Sequence, residues 1–121
     1  LAGLLKAYVR ELPEPLIPQK TYIYLADVLR IEGRIALCQY IRQSFLDAIE
    51  EPSMVLLREI IGLLKDVLEH SARNRMNMKG LTTIWAPNLI RHDDLQEEMR
   101  RLEASRKTIE YMIEYYDDLF G

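Results

Sequence analysis

Two cations four residues apart, Lys6 and Arg10, run directly into three prolines, Pro13, Pro15 and Pro18, in the stretch KAYVRELPEPLIP. Four residues is about one helical turn, so both charges lie on one line of a helix. At about 100° per residue that line points roughly away from an apolar stripe of Leu1, Leu4, Leu5, Tyr8 and Leu12. Such a pair does binding chemistry. Arg10 can present a fork to a carboxylate or carbonyl, and Lys6 a compact point charge. A second unusual stretch is NRMNMKGLTTIWAPNLIR, Asn74 to Arg91, in which Asn88 follows Pro87 where a helix is expected to stop. An amide at such a loop edge can donate and accept hydrogen bonds toward a partner. It can equally satisfy its own turn, as asparagine often does. The residues alone leave both readings open.

The remaining chemistry-bearing side chains are thinner candidates. His70 and His92 stand far apart without metal-ligand spacing and read as solvated helix-end histidines, so no metal site is assigned. Cys38 falls on an apolar helix face and reads as a small core residue. In HDDLQEE, a capping box over Asp94 and Glu97 explains two carboxylates, and solvation explains the others better than paired acid–base catalysis. Tyr22, Tyr111, Tyr115 and Tyr116 suit helix packing better than base stacking. The glycines form no phosphate-cradling loop. Nothing here makes the chain an enzyme by itself.

The elements that must hold these residues are all helical, because every long segment repeats at helical spacing and none alternates. Pro13 and Pro15 force the first helix to end near Glu11. Pro18 suits the first position of a second helix with Tyr22, Leu25, Ala26 and Leu29 inward, broken by Gly33. A third helix turns Ile35, Cys38, Ile41, Phe45 and Ile49 inward and ends before Pro52. Ser53 is the expected cap of a fourth, 54–74, whose broad apolar surface (Leu56, Leu57, Ile60, Ile61, Leu63, Leu64, Val67, Leu68) puts it at the centre. A fifth, shorter helix stops at Pro87. The last carries Ile109, Met112, Ile113, Tyr116, Leu119 and Phe120 on one face. The expectation is an all-α bundle of about six helices forming one domain over residues 1–121.

Composition bounds the function classes. The chain has 121 residues and a net charge of −3, which argues against an electrostatic grip on nucleic acid. Its apolar runs are short, so no membrane insertion is expected. A single cysteine forms no internal disulfide and fits a reducing compartment. The sequence opens on Leu1 without a signal-peptide pattern and reads as a piece of something longer, placed in the cytoplasm.

Taken together, AGLLKAYVRELPEPLIP resembles the most recognisable motif of the Rho GTPase-activating (RhoGAP) domain family. HSARNRMNMKGLTTIWAPNLI is similar to that family's asparagine-containing helix, and TIEYMIEYYDDLF to its last helix. Their order and separation agree over nearly the whole chain. The resemblance implies a helical domain that docks on the switch regions of a Rho-family small GTPase, of Rho, Rac or Cdc42 type, and speeds hydrolysis of its GTP. It also implies that Lys6, Arg10 and Asn88 are the partner-binding residues. GTP and Mg²⁺ would be carried by the partner, and the chain would need no cofactor of its own.

Two departures matter. The family places an arginine finger in a loop before the first motif, and no arginine of this sequence matches it. A finger is worth about 10³–10⁵ in rate, roughly 4–7 kcal/mol, whereas truncating a surface contact costs about 1–3 kcal/mol. The expectation is therefore a fragment competent to bind but weak in activation. The alternative is a catalytically silent adaptor on the same fold; an unrelated helical scaffold is the third reading. The second departure replaces the family's Asn–Leu–Ala step with Gly80, Leu81 and Thr82, and a glycine inside a helix costs about 1 kcal/mol. Apolar surface near Leu1 and Leu4, left uncovered, predicts self-association of the chain. Light scattering should show species larger than a monomer as concentration rises; a monomer throughout would refute it.

Overall fold

The computed structural model describes residues 2–70 and 77–121, and over these the chain is all-α, with no strand. Helix α1 (Ala2–Arg10) leads into a 3₁₀ turn (Gln19–Tyr24) continued by α2 (Leu25–Val28). Then come α3 (Arg34–Ser44), a 3₁₀ turn (Leu46–Ala48) and α4 (Glu51–Glu69). After the undescribed 71–76 follow α5 (Met78–Leu89), α6 (Leu95–Arg100), α7 (Leu102–Glu114) and α8 (Tyr116–Leu119). These elements outnumber the expected six because single residues interrupt runs that look continuous in sequence. The expected second helix is a 3₁₀ turn plus one α turn, and the last is broken at Tyr115.

Three prolines sit differently from expectation. Pro18 lies just before the first helical residue, with ψ 141°, rather than inside the helix. Helix α4 starts at Glu51, so Pro52 occupies its first turn and Ser53 is no cap. A first-turn amide has no intrahelical acceptor, and proline loses nothing there. Pro87 does not stop α5, which continues to Leu89. Gly33 does not end the second stretch, which stops at Val28; it sits at the N-cap of α3, where its φ of 93° is a region in which a side chain would be strained.

The buried edges are rotated from those expected at three helices. On α1, Val9 is fully buried with Leu5 and Leu12 half-buried, while Leu4 is 75% exposed and Tyr8 also faces out. On α3, Leu37 joins Cys38 and Ile41 inside, and Ile35 is 85% exposed. On α2, Leu25 is buried as expected, and Val28 rather than Leu29 joins it. An apolar count along a helix cannot tell which edge meets the neighbour, and exposed apolar residues are ordinary. Leu1 and the 71–74 end of the expected fourth helix lie outside the described residues.

Helix α7, rather than α4, is the hub. It packs on α5, α2, α4, α6 and α8 and buries Ile109 and Met112 completely. Helix α4 contributes Leu57, Ile60, Ile61 and Leu64 to the same core, its flanking Leu56, Leu63, Val67 and Leu68 being half-buried. The α5–α7 seam also holds a buried cation. Arg106 donates through Nη1 to Thr82 Oγ1 at 3.0 Å and to Glu110 at 2.9 Å, and through Nη2 to Glu103 at 2.7 Å. Thr82 in turn donates to Met78 O at 2.8 Å. Lys107 adds a bond to Glu110 at 2.8 Å.

Hydrogen bonding by Arg106 holds the Glu103 carboxyl below its ordinary value of 4.5. Burial pushes Glu110 up, but the bonds from Lys107 and Arg106 outweigh it and its value also lies below 4.5. A depressed carboxyl stabilises the fold fully above 4.5, and the contribution is lost as pH falls through the lower, folded-state value. Removing the cation from such a seam leaves Thr82 Oγ1 without its donor and Glu110 with Lys107 alone. Arg106→Met should therefore cost about 2–3 kcal/mol near neutral pH in urea unfolding. Its stability should also decline less steeply than the wild type's below about pH 4.5. Identical acid limbs would show the network to be inert.

Candidate functional site

The proline-rich turn dictates how α1 is held. Pro13 and Pro15 have no amide hydrogen, so the last carbonyls of α1 lose donors that a continuing chain would supply. Glu11 N–H reaches Ala7 O at 3.1 Å and Leu12 N–H reaches Val9 O at 3.3 Å. The carbonyls of Arg10 and Leu12 are taken instead by one side chain from beyond α5. Arg91 donates through Nη1 to Arg10 O at 3.0 Å and through Nη2 to Leu12 O at 3.1 Å. Ile17 N–H adds a bond to Leu89 O at 3.4 Å. The two stretches singled out in the sequence are thus joined end to end, and α1 packs on α5.

On this frame Arg10 is exposed, and Lys6, three residues before the buried Val9 and so beside it on the helix, is half-buried. Among the described residues neither joins an ion pair. Two cations without an internal counter-charge, on a helix fixed at its far end, are available to an external one.

Asn88 stands in a different setting from the one expected. It lies within the last turn of α5 rather than on a loop edge, is 6% exposed, and donates through Nδ2 to Ile84 O at 2.9 Å. The helix runs through Pro87, so the residue after the proline is still helical and turns toward the core. Asn88 thereby satisfies its own helix. The structure brings the helices of Lys6, Arg10 and Asn88 together, but only the two cations present an open face.

The start of α5 shows what Gly80 does. Asn77 caps the helix, its Oδ1 accepting from Gly80 N–H at 2.7 Å. A Cβ at Gly80 would come within 3.2 Å of that oxygen. The glycine is therefore in the capped first turn rather than mid-helix, and it leaves room for the cap.

The weaker candidates settle into structural roles. Cys38 is buried, and burial, with Asp118 nearby, pushes its thiol up, the wrong direction for a nucleophile. His92 accepts Asp94 N–H on Nδ1 at 2.9 Å and packs 4.7 Å from the Tyr22 ring. Burial and the neighbouring Glu98 and Glu97 push the Tyr22 phenol up to about 12, and its hydroxyl donates to Glu97 O at 3.0 Å. His70 Nδ1 lies 2.8 Å from Asp66 O at the end of α4. The capping box forms by half: Asp94 accepts from Gln96 N–H at 2.9 Å, but Glu97 pairs with Arg100 at 2.7 Å. No group of three metal-ligating residues occurs among the described residues, and none of their helices is long and apolar enough to cross a membrane. Sequence reasoning missed Arg91 and Arg106. The prolines were a usable signal for Arg91, since they strand carbonyls that need a donor.

A sequence model described as the RhoGAP domain matches residues 1–94, which contain Lys6, Arg10, Asn88 and Arg91. Rho GTPase-activating protein 8 of Mus musculus is 31% identical over 99% of this chain and 28% of its own length. Rho GTPase-activating protein gacJ of Dictyostelium discoideum is 27% identical over 99% of this chain and 14% of its own. The chain thus spans under a third of the curated relatives it matches. The crystal structure of human Rho GTPase activating protein 15 superposes with a TM-score of 0.86 at 21% identity, covering 98% of this chain and 56% of that one. The BH domain from GRAF, the GTPase regulator associated with focal adhesion kinase, gives 0.82 at 21%, covering 95% and 62%. The structural likeness shows the same all-α fold, and with the match over residues 1–94 it follows that the chain belongs to the RhoGAP domain family.

Proposed function

We propose that this chain is a docking unit for a Rho-family small GTPase and that, within its whole protein, it stimulates hydrolysis of the partner's GTP. The observation that carries the reading is the ridge of Lys6 and Arg10, without an ion pair among the described residues, on a helix braced at its end, inside the stretch that matches the family. The curated relatives bear the name Rho GTPase-activating protein, which supports the same class of partner.

A GTPase switch region that is acidic, polar and mobile is a fitting occupant. Ordering such a loop costs side-chain and backbone freedom, and a fixed cation pair lowers that cost compared with two floppy ones. Arg10 acts as the fork and Lys6 as the point charge, so exchanging the two types is not neutral. Asn88, with one N–H committed to Ile84 O, is proposed to meet the partner through the rest of its amide, near the nucleotide. The nucleotide and its Mg²⁺ come with the GTPase, and the chain acts in trans.

In this reading the fragment supplies docking, and an arginine from outside it supplies the large transition-state term. Docking and turnover are therefore tested separately. Lys6→Ala/Arg10→Ala should weaken binding to a Rho-, Rac- or Cdc42-type GTPase about 10- to 100-fold while leaving the helical circular dichroism unchanged. Unaltered affinity would show that the surface is wrongly assigned. Turnover by the partner should rise by about 10³-fold or more with the whole protein compared with this fragment. Tight binding with flat turnover would favour the silent adaptor instead.

A further inference from the structure

We propose that Arg91 is a positioning residue of the docking surface, holding the Lys6–Arg10 ridge in register with the Asn88 end of α5. This rests on the docking reading above and assigns a role to a side chain committed to the protein's own backbone. The motif that carries the cations also ends its own helix, because Pro13 and Pro15 turn the chain away before the amides of Glu14 and Leu16 could return to α1. Two carbonyls, Arg10 O and Leu12 O, would then need water or some other partner. Arg91 fills both with the two terminal nitrogens of one planar guanidinium, at 3.0 and 3.1 Å.

Three features separate this contact from a casual surface bond. Arg91 is half-buried, and its Nε is buried without a protein acceptor, so the fork is aimed at the carbonyl pair at the expense of a stranded donor. Among the described residues Arg91 joins no ion pair, so its charge is directed to the negative end of α1's dipole. It also follows Ile90, itself buried, immediately after the turn that contains Asn88 and Leu89. One side chain therefore sets the angle and depth at which the cationic helix leaves α5. A lysine can reach only one carbonyl at a time and has no planar fork.

The test compares wild type, Arg91→Lys and Arg91→Met, each with and without Lys6→Ala/Arg10→Ala. Affinity is read against Rho-, Rac- and Cdc42-type GTPases loaded with a non-hydrolysable GTP analogue. Arg91→Met should weaken binding about tenfold and Arg91→Lys by less, because the brace is lost wholly or in part. In the background lacking both ridge cations, the same substitutions should add less than about twofold, since a brace acts only through what it positions. Equal losses in both backgrounds, or none in either, would overturn the proposal. Circular dichroism accompanies each variant. Loss of helical signal in both Arg91 variants would also overturn it, since Arg91 would then hold the fold and not the ridge. A wild-type chain that binds none of the three GTPases defeats the docking reading and this inference with it. Wild-type binding with indifferent Arg91 variants defeats this inference alone.

Discussion

Helix α5 is packed on both sides at once, and the position of every docking residue depends on that. One side meets α7 along a seam where Leu81, Thr82, Trp85, Ala86 and Leu89 are buried. The other side receives α1, whose main packing partner it is. The hydrophobic driving force sits in the α7-centred core, where each fully buried large side chain is worth about 1.5–3 kcal/mol. Helix α1, in which Val9 alone is fully buried among the described residues, draws little from it directly. Its placement is inherited through α5, by packing and by backbone hydrogen bonds at its end.

That division suits a surface meant for another protein. A helix that buried more of itself would have less left to present, and a helix held only by packing could slide along its axis. The proline turn ends α1 abruptly, and the carbonyls it strands are claimed from α5 rather than by water. Prolines that look like a defect in a helix-rich sequence are thus part of how the helix is anchored. The two cations remain outside this bonding and free of internal ion pairs among the described residues, which keeps their charge for an external acid.

Polar chemistry inside the fold is spent on joining helices. Arg106 binds α7 to α5 through Thr82, and its carboxylate partners lie on its own helix at the following and preceding turns. Asn77 caps α5 against Gly80, so the family's usual asparagine step is replaced here by a capped glycine. A buried cation offsets its desolvation only when all its partners are present, so the Arg106 seam depends on Thr82, Glu103 and Glu110 together.

What the sequence by itself determined was local. Period and proline positions gave an all-helical chain, the end of α1 and the placement of Lys6 and Arg10 on one line. The turn motif pointed to the family. Which edge of each helix is buried was not legible: Leu4, Leu29 and Ile35 look like core and are exposed, because apolar spacing defines a stripe but not its neighbour. The fate of Asn88 was likewise open, since two helical residues beyond Pro87 convert a loop amide into a buried one. The joining of the two motifs by Arg91 belongs wholly to the tertiary structure. A hydrogen bond between residues some eighty positions apart leaves no periodic trace, and only the packing of α1 on α5 brings its donor to those carbonyls.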